Sequence, residues 1–389
     1  MTITPYLPVY RRTGLRIERG EGVYLIADNG RRILDFAAGI AVNAFGHSHP
    51  HMVEALKSQA EKLWHCSNQY ITLELERFSQ RLVDATFADS VFFCSSGTEA
   101  VEAGIKFMRR YHYERGEPYR HRIITFEGGF HGRTYGGISA GGNASARKGF
   151  GQLLNGFDRV AFNDMGAVKK ALGKNTAGIL LEPIQGEGGV RPFDLDMLRQ
   201  LRALCSDEGI LLMCDEVQCG YGRPGRIFAF ERAGIVPDIV SSAKGIGGGF
   251  PLGATLVSAQ VAEALPPGSH GSTYGSNPLA MAVGNAALDL LLEPGMLIHI
   301  NRMGMLLKKE LQALQAHYPN HIRDVRGVGL MLGLEPTGDA RALAMKLLER
   351  GLATSPSVSN VIRLVPPLII DETHVNEAIA IFGDVLKEA

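Results

Sequence analysis

The sequence predicts an α/β fold: a large unit with a mostly parallel central sheet, joined by a smaller α+β unit. Three observations carry that reading. Between residues 91 and 215, short apolar runs alternate with stretches of helical spacing, the pattern of a parallel sheet covered by helices on both faces. Two apolar runs, 210–214 and 239–240 with the small residues after it, each end in one charged residue, Asp215 and Lys244. Beyond Pro278 the texture changes to long helical patterns followed by β-like pieces.

In chain order, residues 21–36 read as a hairpin turning at Asp28, Asn29 and Gly30. Residues 52–63 and 73–83 carry helical spacing, the second in the phase Leu73, Leu75, Phe78, Leu82. A strand at 91–94 opens the alternation, followed by a helix from Thr98 to about Tyr113. Strands follow at 123–126 and 178–181, then a helix at 195–207 and the strand 210–214. The C-terminal part reads as helices 279–293 and 296–317, β pieces 325–334 and 361–365, and a helix from about His374. The expected division is an N-terminal segment 1–45 belonging to the small unit, a large unit 46–277 and a small unit 278–389.

Composition narrows the class. The chain has 389 residues, 45% hydrophobic and 21% charged, as in ordinary globular proteins. Lys+Arg and Asp+Glu both number 40, so no basic excess points to nucleic acid or an anionic membrane. No apolar run approaches the ~18 residues of a membrane span, and the N-terminus lacks the apolar core of a signal peptide. Five cysteines (66, 94, 205, 214 and 219) without C-x-x-C spacing suggest neither a disulfide framework nor a zinc site, and fit a reducing cytoplasm.

Ligands of open α/β sheets bind beyond the carboxyl ends of the strands, so Asp215 and Lys244 should meet at one crevice. A buried lysine amine loses its proton readily and attacks aldehydes, while a carboxylate suits a protonated pyridine nitrogen. Together they point to pyridoxal 5′-phosphate (PLP); a structural ion pair at the sheet rim is the alternative. For the phosphate, Ser96, Gly97 and Thr98 open a helix directly after a strand, where unpaired N–H groups attract an anion, although an N-capped helix start needs no ligand. Phe130 and Arg133 stand in a glycine-rich loop, suited to a flat ring and a carboxylate. Arg363 lies within an apolar strand, where a solvent-facing edge position is the alternative.

Taken in order, SSGTEA, FHGRT, EPIQGEGG, DEVQ, SSAKGIGGGFPLGA and STYGSNP resemble the class III (ω-) aminotransferases of PLP fold type I. The likeness spans essentially the whole chain and is nearest to members acting on N2-acetyl-L-ornithine in arginine biosynthesis. It implies that Lys244 carries the cofactor and moves the proton, and that Asp215 pairs with the ring nitrogen. Gln218, with Glu216 and Val217, would border the ring; Gly97 and Thr98 would bind phosphate, helped by Thr273 from the other subunit of a homodimer. Phe130 would stack on the ring. Arg133 and Ser272 would contact acetylornithine, and Arg363 the α-carboxylate of 2-oxoglutarate or L-glutamate. Glu187 would neutralise Arg363 when no dicarboxylate is bound. Ser95 and Val101 depart from residues frequent in the family near the phosphate end. Ornithine, succinylornithine and 4-aminobutyrate remain open as amine donors, as do an aminomutase or decarboxylase of the same fold. Ser241 and Lys244 also match the S-x-x-K of serine–lysine acyl hydrolases, without the other elements of that class. His47, His49 and His51 alternate as metal ligands can, but fit a structural turn of the family.

Overall fold

A computed structural model of the chain describes residues 5–388. Its centre is a seven-stranded sheet in the order Ser90–Cys94, Gly253–Val257, Ile239–Ser242, Leu211–Asp215, Thr176–Leu181, Arg122–Phe126, Phe157–Val160. Gly253–Val257 runs antiparallel to both neighbours, and all other pairings are parallel. Thr176–Leu181, Leu211–Asp215 and Ile239–Ser242 are buried at every residue, as strands covered on both faces must be. That double cover is why they read as unbroken apolar runs.

Two strands of this sheet escape the sequence reading. Phe157–Val160 is a half-buried edge strand that begins FDRV, and Gly253–Val257 follows a glycine-rich turn that masks it. The helix expected after the first strand is Gly97–Glu114; it packs its Ala100, Ala103 and Gly104 face against Ile239–Ser242 and Gly253–Val257. Leu73–Ala85 is N-capped by Thr72 and buries Phe78 and Leu82 of the expected phase, while Leu75 is half-buried and Leu73, in the first turn, is exposed.

The N-terminal hairpin pairs Tyr24–Ala27 with Arg32–Asp35, and a strand not expected, Ile17–Glu21, joins its free edge. Leu352–Ala353, from near the other end of the chain, adds a parallel strand on the opposite side. The β piece expected at 325–334 is two strands, Ile322–Val328 and Met331–Pro336, folded back at Gly329 and Leu330. Ile362–Leu364 lies between Met331–Pro336 and Ser355–Pro356, an interior position and not an edge.

Among the described residues no single helix is long and apolar enough to cross a membrane. Pro278–Leu291 and Met296–His317 meet the test only as a pair bent by 69°, and the first is almost wholly buried in the protein. His47 bonds Asp35 and His51 bonds Asp289, so these two histidines are tied to separate carboxylates.

Candidate active site

The carboxyl ends of five strands converge on a cavity of about 480 Å³. The turn after Ser90–Cys94 lends it residues 95–98, and the loop after Arg122–Phe126 lends Phe130 to Arg133. Glu182 follows Thr176–Leu181, while Asp215, Val217 and Gln218 come from the end of Leu211–Asp215. Ala243 and Lys244 follow Ile239–Ser242. The crevice expected from two charged strand ends therefore exists, and Asp215 and Lys244 both line it.

Lys244 has φ +51°, a left-handed backbone that costs a residue with a side chain ~1–3 kcal/mol and persists where the surroundings enforce it. Its carbonyl accepts from Gly247 and Gly248 N–H, each at 3.0 Å, so the chain turns abruptly just after the lysine. The residue keeps some exposed surface because it lines the cavity, yet protein surrounds it. Burial first, and the Arg363 charge second, lower its amine from the usual lysine range to about 8, against the opposing pull of Glu187, Glu182 and Asp215.

Asp215 is 3% exposed. Its Oδ2 lies 2.8 Å from His131 Nδ1, and its Oδ1 accepts from Val217 N–H at 3.1 Å. Burial works against a charged His131, but the hydrogen bond and charge of Asp215, with Glu182 nearby, raise its pKa overall. Glu182 accepts from Phe130 N–H at 2.8 Å and Gly186 N–H at 3.1 Å, tying two cavity loops together. Burial, then the Asp215 charge, raise Glu182 to about 7. The sequence reading assigned no role to His131 or to Glu182, although the latter stands at a strand end running into a loop. The rule that found Asp215, a charge directly after a buried strand, also marks Glu182 after Thr176–Leu181.

At one end of the cavity the helix Gly97–Glu114 begins. Ser96 caps it by accepting from Glu99 N–H, and the Glu99 carboxylate returns to Ser96 Oγ at 2.8 Å and Ser95 N–H at 3.0 Å. The N–H groups of Gly97 and Thr98 have no partner within the helix, as its geometry dictates. A Cβ on Gly97 would lie 2.6 Å from Val217 Cγ1, so only glycine lets these elements approach this closely. Thr98 Oγ1 lies 3.2 Å from Thr134 Oγ1.

Arg363 is 1% exposed; the edge-strand alternative fails because a strand covers each side of Ile362–Leu364. Its Nη1 lies 2.6 Å from Glu187 Oε1 and donates to Gln218 Oε1 at 3.1 Å, and its Nη2 donates to Ser355 Oγ at 3.1 Å. Glu187, expected opposite Arg363, is there. Arg133 is exposed, lines the cavity and sits 5.5 Å from the Phe130 ring centre.

Arg363 and Glu187 adjoin the cavity through Gln218 without lining it, and three further expected residues lie off it, Thr273 having been expected from a partner subunit. Glu216 does not line the cavity: its side chain turns away to accept from Phe230 N–H at 2.9 Å and from Cys219 Sγ at 3.2 Å. Burial raises this carboxyl to about 7. Ser272 and Thr273 also lie outside this chain's own cavity; Ser272 Oγ accepts from Gly275 N–H, and Thr273 is exposed. Ser241 donates to the Ala100 carbonyl at 3.1 Å and is fully buried against the helix, which removes the serine–lysine hydrolase reading.

The donor set fits PLP: an amine of lowered pKa for its aldehyde, a buried carboxylate for its ring nitrogen, apolar Phe130 and Val217 for its faces, and free helix N–H groups for its phosphate. Comparison with known proteins agrees. The family model for aminotransferase class-III matches residues 8–386. Acetylornithine aminotransferase of Brucella melitensis biotype 1 is 51% identical over 378 residues, covering 97% of this chain and 94% of the relative. The solved N-acetylornithine aminotransferase of Stenotrophomonas maltophilia K279a is 36% identical with a TM-score of 0.85, covering 97% of this chain and 96% of that one. The ornithine aminotransferase of Toxoplasma gondii, solved with partial occupancy of PLP at its active site, is 30% identical with a TM-score of 0.94, covering 98% and 92%. The chain belongs to the class-III aminotransferases, enzymes that depend on pyridoxal 5′-phosphate.

Proposed function

We propose that the chain transfers the terminal amine of N2-acetyl-L-ornithine to 2-oxoglutarate, giving N-acetyl-L-glutamate 5-semialdehyde and L-glutamate, as a cytoplasmic step of arginine biosynthesis. The observation that carries this reading is the 2.6 Å Arg363–Glu187 pair in a site whose cavity is lined by Lys244 and Asp215. An enzyme of this kind handles two unlike substrates in one site. Glutamate brings two carboxylates and suits two arginines, Arg133 and Arg363; acetylornithine brings one. A buried arginine without an anion is costly, so Glu187 neutralises Arg363 in the first half-reaction and withdraws in the second. The names of the relatives in the 50% identity range support acetylornithine as donor.

In this reading Lys244 holds the cofactor, Asp215 its ring nitrogen with His131 behind it, Phe130 and Val217 its faces, Gln218 the region of its ring hydroxyl, and Gly97 and Thr98 its phosphate. PLP, when bound, supplies an aldehyde that takes up an amine and a ring that withdraws the electrons left as the neighbouring carbon loses its proton. Once the incoming amine has displaced it from the cofactor, Lys244 Nζ would take that proton and deliver it to the former aldehyde carbon, two atoms away, a task suited to an amine near 8. Asp215 keeps negative charge at the ring nitrogen, and His131 holds that carboxylate in place. Arg133 orients the substrate carboxylate.

The site is completed by a second copy of the chain: the partner subunit's Thr273 and the partner subunit's Ser272 reach the phosphate and substrate ends. The exposure of Thr273 on this chain supports that arrangement. The described residues of 1–45 and 278–389 form the small unit around 46–277, a division supported by the pairing of Arg32–Asp35 with Leu352–Ala353; residues 1–4 and 389 of those bounds lie outside the described residues.

The test is a panel of N2-acetyl-L-ornithine, N2-succinyl-L-ornithine, L-ornithine and 4-aminobutyrate with 2-oxoglutarate, followed by glutamate formation. The expected result is the highest kcat/KM with acetylornithine. A higher value with another donor overturns the substrate assignment.

A further inference from the structure

Glu182 lines the cavity, is buried, and takes no part in the chemistry described above. A buried carboxyl is costly, and an apolar side chain would fill the same space after Thr176–Leu181. What an apolar side chain lacks is an acceptor for two N–H groups at once. Glu182 Oε1 accepts from Phe130 N–H at 2.8 Å, and its Oε2 accepts from Gly186 N–H at 3.1 Å. Burial and the Asp215 charge raise this carboxyl, while His131 and the same two bonds pull it back, so the ionised form is the one that grips.

The Gly186 bond reaches the base of the turn that carries Glu187. Ile184–Gln185 and Arg191–Pro192 pair as an antiparallel ribbon, and residues 186–190 form its tip. The Gly186 carbonyl accepts from Gly189 N–H at 3.1 Å and Val190 N–H at 3.4 Å, which closes the tip on itself. Val190 is fully buried with φ +51°, a backbone conformation rare for a β-branched residue. Farther out, the Gly189 carbonyl accepts from Arg326 Nε at 2.8 Å, and the Glu187 carbonyl from Ser359 Oγ at 3.4 Å. A Cβ on Gly186 would collide with the Gln218 side chain, the one that accepts from Arg363. One carboxylate thus ties the tip bearing Glu187 to the loop bearing Phe130, right beside the Arg363 pair.

We propose that Glu182 is a positioning residue: by gripping Gly186 and Phe130 together it holds the base of the tip so that Glu187 meets Arg363, and thereby favours the amine donor with one carboxylate over the donor with two. This rests on the transamination reading above and on the pairing of Glu187 with Arg363 in it. Without the grip the tip drifts, and Glu187 neutralises Arg363 less well. The acetylornithine half-reaction, which needs that pairing, loses; the glutamate half-reaction, in which Glu187 has withdrawn, does not.

The experiment compares wild type, Glu182→Met, Glu187→Gln and the double variant as PLP-loaded enzymes, in single-turnover half-reactions with N2-acetyl-L-ornithine or L-glutamate. Methionine keeps the length of the side chain and removes both acceptors. In Glu182→Met the ratio of kcat/KM for acetylornithine over glutamate should fall about threefold, in the same direction as in Glu187→Gln. Added to Glu187→Gln, it should leave the ratio within about 1.5-fold, because its effect passes through Glu187. Equal losses with both donors overturn the proposal, since a merely structural residue does not discriminate between them. A threefold fall that persists in the Glu187→Gln background overturns it as well, by showing another route. Should Glu182→Met not fold, Glu182→Ala removes the same two acceptors and is read by the same ratios. A Glu187→Gln ratio equal to that of wild type would instead defeat the pairing on which the proposal rests, and wild type that reacts with neither donor would defeat the transamination reading itself.

Discussion

At the sheet end of the cavity, Asp215 is buried among donors fixed by strand ends: His131 on one oxygen and Val217 N–H on the other. In the same site, Arg363 is buried too, but its anion, Glu187, sits on a loop with its side chain 20% exposed. Both are buried charges with a partner under 3 Å away. They differ in what holds the partner. His131 is buried, whereas the Glu187 side chain stands partly exposed on its loop. On the proposed reading, a charge needed throughout the cycle is caged, and one needed in half of it is paired with an ion that withdraws.

The comparison breaks first at the caged end. Asp215→Asn removes the anion while preserving shape, and kcat for both half-reactions should fall by about 10²- to 10³-fold, measured by single-turnover absorbance. A loss confined to one half-reaction would place Asp215 with the movable group. At the other end the effect is smaller and one-sided. Glu187→Gln should change the ratio of kcat/KM between the acetylornithine and glutamate half-reactions by about tenfold, the acetylornithine side losing. Equal losses on both sides would remove the switch.

The smallest effect is on stability and sharpens what the caging costs. Glu182 and Glu216 have folded-state values raised to about 7, so between the ordinary carboxyl range and pH 7 the folded chain holds protons that the unfolded chain has lost. Stability of the PLP-free protein should therefore fall as pH rises through that window. Glu216→Gln, which lies outside the cavity, should reduce the slope by about one proton. Lys244 acts oppositely and only above about pH 8, where the folded amine has shed a proton that the unfolded one retains. Denaturant titrations from pH 5 to 8 check the sign; a slope unchanged in Glu216→Gln would contradict it.

Much of this arrangement was legible in the sequence because buried parallel strands leave a strong mark. Leu211–Asp215 and Ile239–Ser242 are apolar runs cut off by a charge or a small-residue turn, and that is the physical signature of a strand tip at a ligand site. Phe157–Val160 was lost because an edge strand needs fewer apolar residues. The direction of Glu216 was lost for another reason: adjacent residues after a strand point to different sides, and a quoted motif does not say which side faces the cavity. His131 lay unread between Phe130 and Arg133, since its importance comes from Asp215, far away in sequence. The fold at Gly329 and Leu330 was concealed by flanking strands that read as one apolar stretch. Ser272 and Thr273 were read from their motif, whereas one chain's geometry leaves them outside its cavity.

The central claim is that Lys244 Nζ is the atom to which the cofactor attaches, opposite the carboxylate of Asp215. Borohydride reduction of the PLP-loaded protein, followed by peptide mapping, tests it most directly. The account predicts one reduced pyridoxyl group per chain, on Lys244, and none after an amine donor has discharged the lysine beforehand. A pyridoxyl group on another lysine, or none on the loaded protein, would contradict it.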